Sequence, residues 1–257
     1  MDEGRTARRH LRHRARRISD PGDVGGEIGD GDVGATGTHV GILPTSAAIT
    51  EQEGNNLNTI WQRIEDARAR WDVLQHPFYL RWSAGELSRE ELATYAGQYR
   101  HATKAIATLS EQVADAAPEQ GELRRHAAEE ADHVALWDGF LESVGGEVDA
   151  DPTPETEACV ATWTAEDGLL PSLVRLYAIE SGQPAISRTK REGLAAFYKV
   201  GDGEGNAYFQ VHESLDVEHS DADRELIEHH LEGADEDALV TAAEAAFRAN
   251  WRLLDGV

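Results

Sequence analysis

The chain has 257 residues, 40% of them hydrophobic, enough for one sizeable core, and 48 acidic against 24 basic side chains leave a net charge of −24. That charge argues against nucleic acid or an anionic membrane as a partner, and a single cysteine, Cys159, excludes an intrachain disulfide and thiolate metal clusters. No apolar run approaches the ~20 residues of a membrane helix, and no apolar segment follows the Arg-rich start as in a secretory signal, so a cytoplasmic protein is expected.

Lys104, Lys190 and Lys199 are the only lysines; every other basic side chain is Arg. An acidic, lysine-poor, otherwise globular composition suits a halophilic protein from a high-salt cytoplasm, where carboxylates stay hydrated and salt screens their repulsion.

Taken in chain order, residues 1–55 do not belong to the fold by composition. Seven arginines crowd the first 17 residues, and a Gly- and Asp-rich stretch with no period follows. A disordered extension, or a wrongly chosen upstream start, is expected there, with residues 56–257 forming the domain. From Leu57 the period is helical. A helix is expected over Leu57–Leu74 and a short one over Phe78–Trp82. A third runs to Ala116 from the capping box Ser88-Arg-Glu-Glu91. Pro118 suits the first turn of the next, which ends at Gly145-Gly146. Thr153-Pro154 opens another, followed by Gly168–Ser181 and Pro184–Val200. After Gly201–Gly205 comes the helix bearing His212, then Asp221–Leu231 and Ala234–Leu254. No convincing strand is found. The fold class expected is an all-α bundle of seven to nine helices.

Three segments carry candidate chemistry. His212, Asp216 and His219, spaced by four and three residues, fall within roughly 60° on one helix face. Glu130-Ala-Asp-His133 places a carboxylate and an imidazole on one face, and Glu129, four residues before His133, can serve in place of Glu130. Glu180 sits in the otherwise apolar Leu173–Ser181 helix, where a buried carboxylate needs a cation, a metal or a proton. Pro184 cannot donate to the carbonyl of Glu180, so the helix either kinks there or ends at Ser181-Gly182 with Glu180 at its rim. His229 and His230 read as surface. Three carboxylates and three imidazoles suit two iron or manganese ions better than zinc. Tyr79, in an aromatic stretch, needs only one hydrogen-bond partner as a core residue. Lys190 is notable in a chain that otherwise prefers Arg, although a solvated helix face is its ordinary explanation.

At these residues the chain resembles the haem-oxygenase-like (TenA/PqqC-like) di-metal oxidases, closest to the chlamydial death-domain-associated protein group of para-aminobenzoate synthases. The resemblance covers Leu57–Leu254. It rests on His76-Pro-Phe-Tyr-Leu-Arg-Trp-Ser-Ala-Gly-Glu-Leu-Ser88, Tyr95-Ala-Gly-Gln-Tyr99, Glu129-Glu130 to His133-Val-Ala-Leu-Trp137, Glu180-Ser-Gly-Gln-Pro184 with Lys190, and Ala207-Tyr-Phe to His212, Asp216 and His219. It implies a haem-oxygenase-like bundle in which Glu129 or Glu130, His133, Glu180, His212, Asp216 and His219 hold two metal ions, Fe/Fe or Fe/Mn. It further implies a self-sacrificing synthesis of para-aminobenzoate for folate: Tyr79 supplies the ring, Lys190 the amino nitrogen, and dioxygen and an external reductant the oxidising power. The reductant, protein or small molecule, is the partner expected, and a second copy of the chain is an admissible one. Two departures stand out. The spacing from the first Glu to His133 is shorter than in the group, and Ile179 precedes Glu180 where some relatives place a tyrosine. The rival readings are an oxidase of an external small molecule on the same scaffold, a metal-free cofactor-metabolism enzyme, and a non-enzymatic interaction protein.

Overall fold

A computed structural model describes residues 59–201 and 203–257, so the expectation for residues 1–55 lies outside the described residues. Every regular element among the described residues is helical: α1 (59–70), α2 (Pro77–Ala84), α3 (Arg89–Ala116), α4 (Gly121–Val144), α5 (Pro154–Trp163), α6 (Leu169–Glu180), α7 (Gln183–Gly193), α8 (Glu204–His212), α9 (Leu215–His229) and α10 (Glu236–Asp255). A 3₁₀ turn at Val73–Gln75 and a π-helical segment at Leu194–Tyr198 complete them. No helix among the described residues is long and apolar enough to cross a membrane.

Local signals set many boundaries. The Ser88 hydroxyl accepts from the Glu91 N–H at 3.2 Å, and the Glu91 carboxylate accepts from the Ser88 N–H at 2.8 Å, closing the expected capping box of α3. His76 Nδ1 accepts from the Phe78 N–H at 3.1 Å, and Pro77 fills the first turn of α2. That start turns Tyr79 and Trp82 into the core. Gly145 ends α4 in the left-handed region at φ 80°.

Three expectations change. Pro118 lies in a turn closed by Gln120 N–H to Ala117 O at 2.9 Å, and α4 begins only at Gly121. The segment around Glu180 follows neither alternative foreseen. Helix α6 does end there, with Pro184 absorbed into the first turn of a new helix, yet Glu180 is 2% exposed rather than at a rim. Finally, His212, Asp216 and His219 do not share one continuous helix: α8 stops at His212 and α9 starts at Leu215. Arg188 and Arg191 of α7 grip Glu213 in the break, and the Ser214 hydroxyl donates to the Val211 carbonyl at 3.2 Å.

Helix α3 packs against α4 and α5, α10 against α5 and α6, α6 against α9, and α4 against α8. The last approach is close because of Gly139: a Cβ there would lie 2.9 Å from the Glu204 carbonyl oxygen. Three tryptophans, Trp82, Trp137 and Trp163, are wholly buried, and their indole N–H groups donate to the carbonyls of Lys190, Ala96 and Ala246. Each removes roughly 200 Å² from water, about 5 kcal/mol of gross stabilisation. Helices α4, α6, α8 and α9 meet beside this aromatic core.

Candidate metal centre

On α4, His126, Glu130 and His133 recur at intervals of four and three residues, so all three project from one face. Glu130 Oε1 lies 2.9 Å from His133 Nδ1 and 3.9 Å from His126 Nε2, and Glu130 Oε2 lies 4.0 Å from His212 Nε2. The His133 and His212 rings are 4.5 Å apart. From α6, Glu180 Oε1 comes within 2.8 Å of His126 Nε2. From α9, His219 stacks 3.8 Å from His126, and its Nδ1 is 4.0 Å from Asp216 Oδ1. Donor atoms of His126, Glu130, Glu180 and His219 all fall within 4.8 Å of one another, as do those of Glu130, His133 and His212. Glu130 belongs to both groups.

All eight side chains, counting Asp216 and Asp223, are buried, and many of their polar atoms lack partners. Both oxygens of Glu180 and Asp216, His126 Nε2, His212 Nε2, His219 Nδ1 and Asp223 Oδ2 find no hydrogen bond among the described residues. The 2.8 Å approach of His126 to Glu180 is no exception, because it is not aligned as a hydrogen bond. His212 Nδ1 donates to the Tyr208 carbonyl at 2.7 Å, which fixes the tautomer and leaves Nε2 a lone pair toward Glu130. Burial and the facing carboxylates push Glu180 and Asp216 well above the usual carboxylate range, and burial does the same to Asp223. Burial also opposes ionisation of Glu130, but its contacts with His133 and His212 hold it below that range. Burial and His126 bring His219 down to about 4, so its ring is neutral and able to ligate. A buried acid cluster with unpaired oxygens and inward imidazole lone pairs fits divalent cations, and it is costly without them.

Of the residues expected from the sequence, Glu130, His133, Glu180, His212, Asp216 and His219 converge. Glu129 does not join them. It is partly exposed, pairs with Arg125, and its Oε2 meets the outer nitrogen of His219, Nε2, at 3.2 Å. That contact fixes the ring with Nδ1 inward, as carboxylates behind metal-bound histidines do. Sequence reasoning missed His126 and Asp223. The signal for His126 was its position four residues before Glu130 and seven before His133; for Asp223, four residues after His219.

Tyr79 and Lys190 meet in an adjoining box. Lys190 is 0% exposed, its Nζ has no hydrogen-bond partner among the described residues, and it faces the rings of Tyr79 at 5.8 Å, Tyr95 at 5.4 Å, Tyr99 at 4.6 Å, Trp137 at 5.3 Å and Phe209 at 5.1 Å. The rings favour an ammonium, but none supplies the anion or hydrogen-bond acceptor that would replace its lost hydration. Burial prevails and pulls the amine well below its usual range. The Tyr79 and Tyr95 hydroxyls touch at 3.2 Å. Tyr208 joins the two regions: it stacks 3.8 Å from His212 and lies 4.9 Å from Trp137. The residue before Glu180 is Ile179, so the tyrosine against this cluster comes from α8 instead.

The family model for iron-containing redox enzymes matches residues 119–251, which span α4 to α10 and every acid and imidazole of the cluster. The 4-aminobenzoate synthase of Nitrosomonas europaea is 34% identical, over 78% of this chain and 91% of that protein. That of Chlamydia trachomatis is 32% identical, over 71% and 85%. Among solved structures, a TenA homologue from Pseudomonas syringae superposes with a TM-score of 0.66 at 16% identity, covering 77% of this chain and 90% of that one. A haem-oxygenase-like domain of unknown function from Shewanella denitrificans gives 0.63 at 20% identity, over 75% and 88%. With its helical architecture and its acid–imidazole cluster, the chain belongs to the haem-oxygenase-like family of iron-containing redox enzymes.

Proposed function

We propose that this chain is a 4-aminobenzoate synthase that consumes its own side chains, Tyr79 providing the ring and Lys190 the amino nitrogen. One observation carries the reading: an unpaired, wholly buried lysine shares a closed aromatic box with Tyr79, next to the acid–imidazole cluster. The relatives named for this activity support it.

Glu130, His133, Glu180, His212, Asp216 and His219, joined by His126, would hold two ions, an iron pair or an iron–manganese pair. Such a centre supplies dioxygen-driven oxidising power once an external reductant has primed it. The side chains do the rest. Burial keeps the Tyr79 phenol protonated far beyond the ordinary range, so its oxidation must release a proton, and the Tyr95 oxygen at 3.2 Å is placed to take part. Burial disfavours the Lys190 ammonium, which favours a free lone pair for C–N bond formation. Its Nζ is 5.8 Å from the centre of the Tyr79 ring, beyond the ~3–3.5 Å of a reactive approach. The ring therefore shifts or is released before it is aminated. The surrounding Tyr95, Tyr99, Trp137 and Phe209 exclude water that would compete for an activated ring.

The test is mass spectrometry of the chain after exposure to ferrous or manganous ion, reductant and oxygen. Loss of a fragment at Tyr79, with 4-aminobenzoate released at no more than one per chain, is expected. Tyr79→Phe and Lys190→Arg should each abolish the product. An unchanged mass with steady consumption of an added substrate would assign a turnover oxidase instead.

A further inference from the structure

The acid–imidazole cluster is open on one side. A cavity of about 460 Å³ lies between the start of α4 and α9, and His126, His219 and Asp223 reach its floor. The mechanism above leaves Asp223 without a role. It is 1% exposed, and its Oδ2 has no hydrogen-bond partner among the described residues. On α9, Asp216, His219 and Asp223 follow one another along a single buried face, stepping from the cluster toward the cavity. The unpaired Nε2 of His126 and Nδ1 of His219 stand beside that step. The lip is acidic and exposed, with Glu122 from α4 and Glu218 and Glu225 from α9, and His229 at its edge. Arg125 also lines it, but its guanidinium is committed to Glu122 and Glu129.

We propose that this cavity is the route by which divalent cations load the centre, with Glu218 and Glu225 drawing ions to the mouth and Asp223 handing them inward to His126 and His219. The proposal rests on the metal-centre reading. A neutral molecule such as dioxygen gains nothing from a carboxylate lip, whereas a dication is concentrated there by the field of an acidic cleft. Exposed single carboxylates hold a hydrated ion weakly enough to release it, and the buried Asp223 replaces lost water with an oxygen ligand.

The experiment follows uptake of cobaltous ion by the metal-free full-length chain in stopped flow, reading the absorption of the bound ion, with final stoichiometry from elemental analysis. Glu218→Gln/Glu225→Gln should load about fivefold more slowly at the lowest salt at which the fold persists, and the difference should fade toward about 1 M KCl. Ala222→Trp, at an exposed position on the cavity wall, should slow loading at every salt concentration. Both variants should reach the native stoichiometry. Native loading rates in both would overturn the route while leaving the centre intact. A native chain that takes up no ion would overturn the centre and the route together. The paired Glu→Gln changes are on the surface and keep the test decisive if the Trp variant misfolds.

Discussion

Lys190 is a side chain whose burial stability alone does not explain. Its amine sits among rings with no anion to pair it, and burial depresses its pKa well below the ordinary 10.5. Between the folded-state pKa and 10.5, the unfolded chain holds a proton that the folded chain has released, so stability rises with pH across that window. Lys190→Met, similar in volume and apolar, removes that penalty. Its thermal midpoint should exceed the native one at pH 7 by at least about 3 °C, roughly 1 kcal/mol for a domain of this size. The gap should narrow steadily as the pH approaches 10.5, which a series of calorimetric scans would read. A gap that widened instead would mean that Lys190 is folded as a cation. Glu180 poses the same conflict with a different resolution. Glu180→Gln relieves a buried carboxylate, so the metal-free chain should gain on the order of 1–2 kcal/mol in denaturant melts while losing ferrous-ion affinity. A change that lowered both would make Glu180 an ordinary structural acid.

Two helix contacts place the site, and only some of their logic was legible in the sequence. Gly193 lies against Trp82: a Cβ there would meet the indole Cδ1 and Nε1 at 2.5 Å. Gly193→Ala should cost about 1–3 kcal/mol by overpacking, and it should also disturb the aromatic box, since the same indole donates to the Lys190 carbonyl. Denaturant melts and near-ultraviolet circular dichroism would register both effects. The capping box at Ser88, the glycine end of α4 and the helical class could be read because their causes lie within a few residues of one another. The break at Glu213–Ser214 could not, because Arg188 and Arg191 of α7 hold it from outside. The spacing of His212, Asp216 and His219 was read as one helix face. Convergence survives the break because the turn returns α9 to the same interior. His126 fits the same period, but one more histidine in an acidic, His-rich chain carries little weight alone. Choosing Glu130 over Glu129 required knowing which of two adjacent residues faces the core, and that depends on packing against α6 and α8.

Over the whole molecule, salt and metal act on stability in the same direction. The net charge of −24 strains the folded state by self-repulsion. Salt should relieve it, so the thermal midpoint should climb between about 0.1 and 1 M KCl, over which the screening length shrinks from ~10 to ~3 Å. Ferrous or manganous ion at about a hundredfold above its Kd should add about 2.7 kcal/mol, a rise of roughly 5–10 °C, and a chelator should reverse it. The acids at the meeting of α4, α6 and α9 carry a further consequence. On the metal-centre reading, Glu130, Glu180, Asp216 and Asp223 crowd a buried space with few partners until cations arrive, and before then the helices that present them separate more readily. Proteases sample such openings, and their yield follows the population of the open form. A freshly synthesised copy is therefore most perishable in the interval before it is filled. In an iron-starved cell the pool would shrink by degradation, with no need for a repressor to sense the shortage.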